Sequence, residues 1–167
     1  PIEVYKGSLK TSDFTQHFKN WGIINTGWGN QGGTMIVGPD KKAIPATLEI
    51  SWLSFAENKF YEGKFDLPKE KLTALFKQGF IDPITKEKET YKNIVIGLAP
   101  KGTVVVWLLS TGIQTEVARF KAHETQIDIE SVSSDDRYMF DKSYAASVLA
   151  DPMIIRPEIK EKLNAEG

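Results

Sequence analysis

The strongest hydrophobic signal in the chain runs from Tyr91 to Lys121. Ile94-Val95-Ile96-Gly97-Leu98 and Val104-Val105-Val106-Trp107-Leu108-Leu109 are apolar at almost every position, and Thr115-Glu116-Val117-Ala118-Arg119-Phe120 follows. Ala99-Pro100-Lys101-Gly102 and Ser110-Thr111-Gly112 separate the three runs. β-Branched and aromatic residues bounded by Pro and Gly predict three consecutive antiparallel strands. Runs apolar on both faces belong at the centre of a sheet that is covered on both sides. A buried helix would give a similar run, but these are short, and three successive valines disfavour a helix.

Elsewhere the period changes. Ile2 to Leu9 alternates as a half-buried strand ending near Gly7. Residues 11–20 are polar with Phe14 and Phe18 four apart, which fits either one helical turn or a loop with two anchors. Trp21 to Gly38 holds six glycines and two tryptophans and predicts a turn-rich segment, with Gly-Gly-Thr-Met-Ile-Val at its end reading as a strand. Leu48, Ile50 and Trp52 share one face of a strand, with Glu49 and Ser51 on the other; a turn at Glu57-Asn58-Lys59 returns the chain as Phe60 to Phe65. Leu67 to Gly79 predicts a helix, with Pro68 at its first position, Leu72, Leu75 and Phe76 as its apolar stripe and Gly79 as its cap. Residues 81–90 read as a solvated charged loop, Arg137 to Leu149 as helical, and Pro157 to Leu163 as a short terminal helix. The pattern predicts a single α+β domain over 1–167, an antiparallel β-sheet or sandwich of about 7–8 strands with one mid-chain helix and C-terminal helices.

Composition narrows the functional classes. Twenty-one basic and 22 acidic residues give a net charge of −1, without the basic excess of a dedicated nucleic-acid surface. No cysteine is present, which removes thiol catalysis and Cys-based zinc sites from this stretch. No apolar run approaches the roughly 20 residues that span a bilayer. The chain starts at Pro1 with no initiator Met, which reads as a processed or truncated chain, so any leader or lipid-bearing Cys would lie upstream of these residues.

Candidate chemistry is sparse. His17 and His123 lie far apart in sequence and read as surface or strand-end residues; a zinc site would need both plus a carboxylate such as Glu124. No G-x-S-x-G elbow is present, and Asp135-Asp136 and Glu87/Glu89 sit in polar stretches that read as solvated. No catalytic, metal or cofactor residues are assigned. Gly27-Trp28-Gly29-Asn30-Gln31-Gly32 has the spacing of a phosphate loop without its strand–loop–helix context. As a ligand loop it would stack a sugar or base on Trp28 and hydrogen-bond it through Asn30 and Gln31; the plainer reading is tight bends with tryptophan core plugs. Trp52 and Trp107 lie in strand patterns and read as core.

Taken in order, Gly27-Trp28-Gly29, Ile44-Pro45 through Tyr61, Leu67-Pro68 with Leu75-Phe76, Ile94 through Leu108, and Glu116 to Phe120 form a series covering nearly the whole chain. This series resembles a family of bacterial lipoproteins of unknown function. Its members lie beside type VI secretion lipase effectors, and some are treated as their immunity proteins (the Tli group). The resemblance implies a periplasmic protein, lipid-anchored through an upstream Cys absent from this chain, that binds and blocks a cognate antibacterial toxin, a phospholipase by preference. It brings no catalytic residues with it. The expected contacts are Asn25, Trp28, Asn30 and Gln31, the turn residues Glu57 and Asn58, and the acidic pair Asp135 and Asp136. The alternative is an envelope protein binding a small molecule or glycan through the Trp/Gly-rich loop. An enzyme would require either histidine within hydrogen-bond reach of a carboxylate or serine in a cleft.

Overall fold

The three apolar runs are strands β9 (Asn93–Ala99), β10 (Thr103–Ser110) and β11 (Ile113–Lys121) in the computed structural model, which describes residues 2–11, 15–18, 23–24, 35–37, 44–110 and 113–152. They form a meander, and β4 (Met35–Val37) adds to the outer edge of β9, so the order is β11-β10-β9-β4. β9 and β10 therefore lie centrally, as their double-sided apolarity requires.

The second sheet is built on β1 (Ile2–Lys10), β5 (Thr47–Ser54) and β6 (Lys59–Asp66). Short strands β2 (Thr15–His17) and β3 (Ile23–Ile24) share the outer edge of β1, and β12 (His123–Thr125) lies beyond β6, giving the order β12-β6-β5-β1-β2. All pairings are antiparallel. β1 does not end at Gly7 but runs on to Lys10, because the register shifts between Val4 and Lys6. Tyr5 is the extra residue of a β-bulge, which lets the strand continue after its alternation breaks. Twelve strands are described, more than the 7–8 predicted, because several pairing segments of two or three residues carry no periodic signal.

The two sheets face each other across the main core. Val4, Leu48, Ile50, Trp52 and Tyr61 meet Ile94, Ile96, Val104, Val106, Leu108 and Val117 there. Helix α1 (Lys69–Gln78) adds its buried Leu72, with Leu75 and Phe76 packed alongside. Pro68 sits one residue before the helix, and Gly79 closes it at φ +59, donating its N–H to Leu75 O at 2.9 Å.

The predicted charged loop is a hairpin, β7 (Phe80–Ile81) with β8 (Lys88–Glu89). Asp82 Oδ1 accepts from the N–H groups of Ile84 (2.7 Å) and Thr85 (3.0 Å), fixing the turn. These two backbone donors hold the Asp82 carboxyl below its ordinary range.

The C-terminal part forms a third layer. The helical stretch predicted from Arg137 splits into a 3₁₀ turn (Arg137–Phe140) and helix α2 (Tyr144–Ala150). With Val132, these bury Met139, Ala145 and Val148 against Tyr5, Leu53 and Phe55 on the outer face of the second sheet. The predicted helix at Pro157 to Leu163 lies outside the described residues.

Candidate functional site

Among the described residues, the C-terminal layer covers only half the length of the second sheet's outer face. Glu3, Tyr5, Leu53, Phe55 and Phe60 lie on the half under the C-terminal layer. Beyond the bulge, the same face is polar and open, and forms a concave cleft of about 610 Å³. That volume falls in the range of small-ligand pockets.

Register fixes what lines it. One row across the strands is His17, Ser8, Glu49, Lys64; the next is Lys6, Ser51, Glu62, His123. Gly7 and Gly63 flank Ile50 in the row between, with their missing side chains on the core side. A Cβ on Gly7 would overlap the Phe18 ring, and one on Gly63 the Phe65 ring, so the core aromatics occupy that space.

The two histidines, far apart in sequence, are exposed strand-end residues as predicted, and they line one cleft because β2 and β12 join opposite edges of one sheet. His123 Nε2 lies 3.5 Å from Glu62 Oε1, with both side chains substantially exposed. Ser51 is 7% exposed, and its Oγ has no hydrogen-bond partner among the described residues. Among the described residues, no side-chain hydrogen bond or ion pair engages Glu49 or Lys64, which pair with each other across β5 and β6 through the backbone ladder. Lys6 holds its ammonium 5.2 Å over the Tyr5 ring at the cleft's edge.

The rows contain serine, histidine and carboxylate, but not in relay order. A relay needs the histidine between the other two. Here Glu62 stands between Ser51 and His123, and Ser8 stands between His17 and Glu49. Two strand spacings, about 9.6 Å of backbone, separate Ser51 from His123, beyond hydrogen-bond reach. No group of three or more metal-ligating side chains occurs among the described residues. What the cleft offers is hydrogen bonding and charge of both signs.

Other predicted positions take different places. Asn25, Trp28, Asn30 and Gln31 lie outside the described residues. Asn58 is exposed in the β5–β6 turn at φ +51. Glu57 bridges the two sheets: it accepts from Tyr61 Oη (2.8 Å) and from the Lys101 N–H (3.2 and 3.3 Å) in the β9–β10 turn. Burial raises the Glu57 pKa, but hydrogen bonds from Ser54, Tyr61 and Lys101, with the Lys59 charge, outweigh it and hold it below its ordinary value. Tyr61 is pushed up to about 12 by burial and by its bond to Glu57. Asp135 is exposed, while Asp136 accepts from Ser133 Oγ at 3.1 Å in the turn entering the 3₁₀ segment. Trp52 and Trp107 are buried, as predicted.

One polar cluster had no signal in the sequence. Glu3, 7% exposed, accepts from Tyr138 Oη (2.6 Å) and Tyr144 Oη (2.7 Å), tying the first strand to the last layer. Burial and the bond to Glu3 push Tyr138 up to about 12 and Tyr144 higher still.

No curated protein matches the chain, and no solved structure does. A family model matches residues 1–155, nearly the whole of this sandwich and its C-terminal layer, and the chain belongs to that family, described as a protein of unknown function (DUF2931).

Proposed function

We propose that this protein acts by binding: it is an immunity-type inhibitor of a type VI secretion effector, a phospholipase, in the periplasm. The segment order that resembles the lipase-associated lipoproteins suggests the partner. The observation that carries a protein partner is the hairpin tip, where Ile84 is 90% exposed and Ile81 61% exposed on a turn fixed by Asp82. A rigid, projecting apolar residue loses little entropy on binding and fits a pocket on a partner. Inserted into the mouth of a lipase cleft, such a tip excludes substrate without chemistry. Asn58, Asp135 and the Asn25-to-Gln31 segment complete the proposed contact set, with lipid on an upstream Cys as the tether.

The test is calorimetric titration of the purified protein with the type VI secretion phospholipases of its own bacterium, together with an assay of lipase activity. Binding with loss of activity is expected. Ile81→Asp with Ile84→Asp should weaken binding about 100-fold or more, since burying each isoleucine contributes roughly 1.5–3 kcal/mol. A lipase neither bound nor inhibited ends the reading; unchanged affinity of the double variant removes the hairpin from the interface.

The second reading is a small-molecule binder. The cleft lined by residues of β1, β2, β5, β6 and β12 favours it.

A further inference from the structure

The cleft on the second sheet carries charges of both signs at fixed register positions. Lys6 and Ser8 stand on β1, and Ser51 lies beside Lys6 on β5, so three potential donors form one corner. Glu49 on β5 and Glu62 on β6 lie diagonally across from each other and form the acceptor corner. The corners are about one to two strand spacings apart, roughly 5–10 Å. Lys64, directly across from Glu49 and next to Glu62 on β6, completes the square with Glu49, Glu62 and Ser51, and His123 stands directly across from Glu62.

Ser51 marks where a ligand sits. Its hydroxyl is buried in the cleft floor between Lys6 and Glu62 and has no partner among the described residues. A buried hydroxyl left unbonded is costly, so natural structures rarely keep one without a use. The core side of the sheet gives it nothing, because there its neighbours on β5 are Ile50 and Trp52.

A simple anion at the donor corner would leave Glu49 and Glu62 unmatched, and a simple cation at the acceptor corner would leave Lys6 unmatched. A molecule carrying both charges a few ångströms apart satisfies both corners. We infer that this cleft is a binding site for a small zwitterion, its anionic group held by Lys6, Ser8 and Ser51 and its cationic group by Glu49 and Glu62. The anion is either a carboxylate, as in a short peptide, or a phosphate ester, as in a phospholipid headgroup. The inference rests on the cleft alone and is independent of the lipase partner proposed above.

The experiment is a ¹H–¹⁵N correlation titration of the whole protein with two zwitterions, glycylglycine and O-phosphoethanolamine, and with acetate and methylammonium as single-charge probes. Saturable shifts at the amides of Gly7, Ser51, Glu62 and Gly63 are expected with at least one zwitterion, with acetate and methylammonium each roughly tenfold weaker or more. Preference for glycylglycine assigns a carboxylate source, and preference for phosphoethanolamine a phosphate source. Lys6→Gln and Glu62→Gln, both at open positions and checked for an unchanged melting temperature, should each weaken binding roughly tenfold. The inference is overturned if neither zwitterion saturates, if acetate or methylammonium binds equally well, or if shifts persist undiminished in both variants.

Discussion

Replacing Tyr144 by Phe removes a single oxygen and tests how the third layer is fastened. The ring would keep its edge contacts with Phe55 (centroids 5.6 Å apart) and Tyr138 (5.3 Å), so packing is conserved. What is lost is the 2.7 Å bond to Glu3 Oε2, on a carboxylate that is 7% exposed. A hydrogen bond to a charged group contributes about 1.5–3 kcal/mol. For a chain of this size each kcal/mol corresponds to roughly 2–4 °C, so the melting temperature should fall by about 3–12 °C. Tyr138→Phe should cost less, within about 1 kcal/mol, because Tyr138 is 46% exposed and water can replace its hydroxyl. The double variant leaves Glu3 with neither donor and should cost more than the sum of the singles, since removal of the last partner from a buried group carries the full desolvation penalty. Urea and thermal unfolding of the four proteins at neutral pH measure this cycle. A Tyr144→Phe protein as stable as the parent, or a larger loss from Tyr138→Phe, would refute the reasoning.

Other expectations follow from contacts already described. Gly7→Ala should destabilise by about 1–3 kcal/mol, since its methyl meets the buried Phe18 ring; Gly63→Ala should cost less, because Phe65 is only half-buried and can shift. Urea midpoints compare the two, and the reverse order would contradict the packing. Glu57 has a folded pKa below the unfolded value of 4.5, so its contribution is present above that pH and is lost as pH falls through the folded value. Stability measured against pH should therefore show Glu57→Gln converging on the parent in acid, and a constant gap would exclude the linkage. Tyr61 and Tyr138 titrate near 12 when folded, above the roughly 10 of an unfolded tyrosine, so their contribution is intact below pH 10 and lost as pH rises towards 12. Tyrosinate absorbance should lag behind that of the urea-unfolded chain across that interval, and coincident titrations would count against it.

The legible parts of this fold were those decided locally. The β9–β11 meander needs only short turns between neighbouring runs, and α1 carries its own stripe and cap, Leu72 with Leu75 and Phe76 closed by Gly79. Pairings between distant segments left no trace. β12 follows β11 by one residue yet pairs with β6 in the other sheet, a choice made by packing that no periodicity announces. The cleft depends on that choice and on β2 joining β1, so the pattern placed Glu49 and Ser51 on one face but could not bring His17 and His123 to it. Glu3 reads as an ordinary outward polar residue; its burial comes from tyrosines more than a hundred positions away. Glu57 was visible as a turn residue, whereas its bond to Lys101 required the β9–β10 turn of the facing sheet to be in place.

The bulge at Tyr5 has a consequence for variation. A strand with unbroken phase would carry one kind of surface along its whole length. Here a single extra residue turns Tyr5 and Lys6 outward in succession, the first sealed under the C-terminal layer and the second facing the open cleft. The sheet is thus divided into a structural territory and an exploratory one. Lys6, Ser8, Glu49, Ser51, Glu62 and Lys64 could be randomised together as a recognition library while both aromatic clusters beneath and beside them stay untouched. Deleting Tyr5 would merge the two territories and push cleft residues under the helices, so drift at the cleft is tolerated where drift in strand length is not.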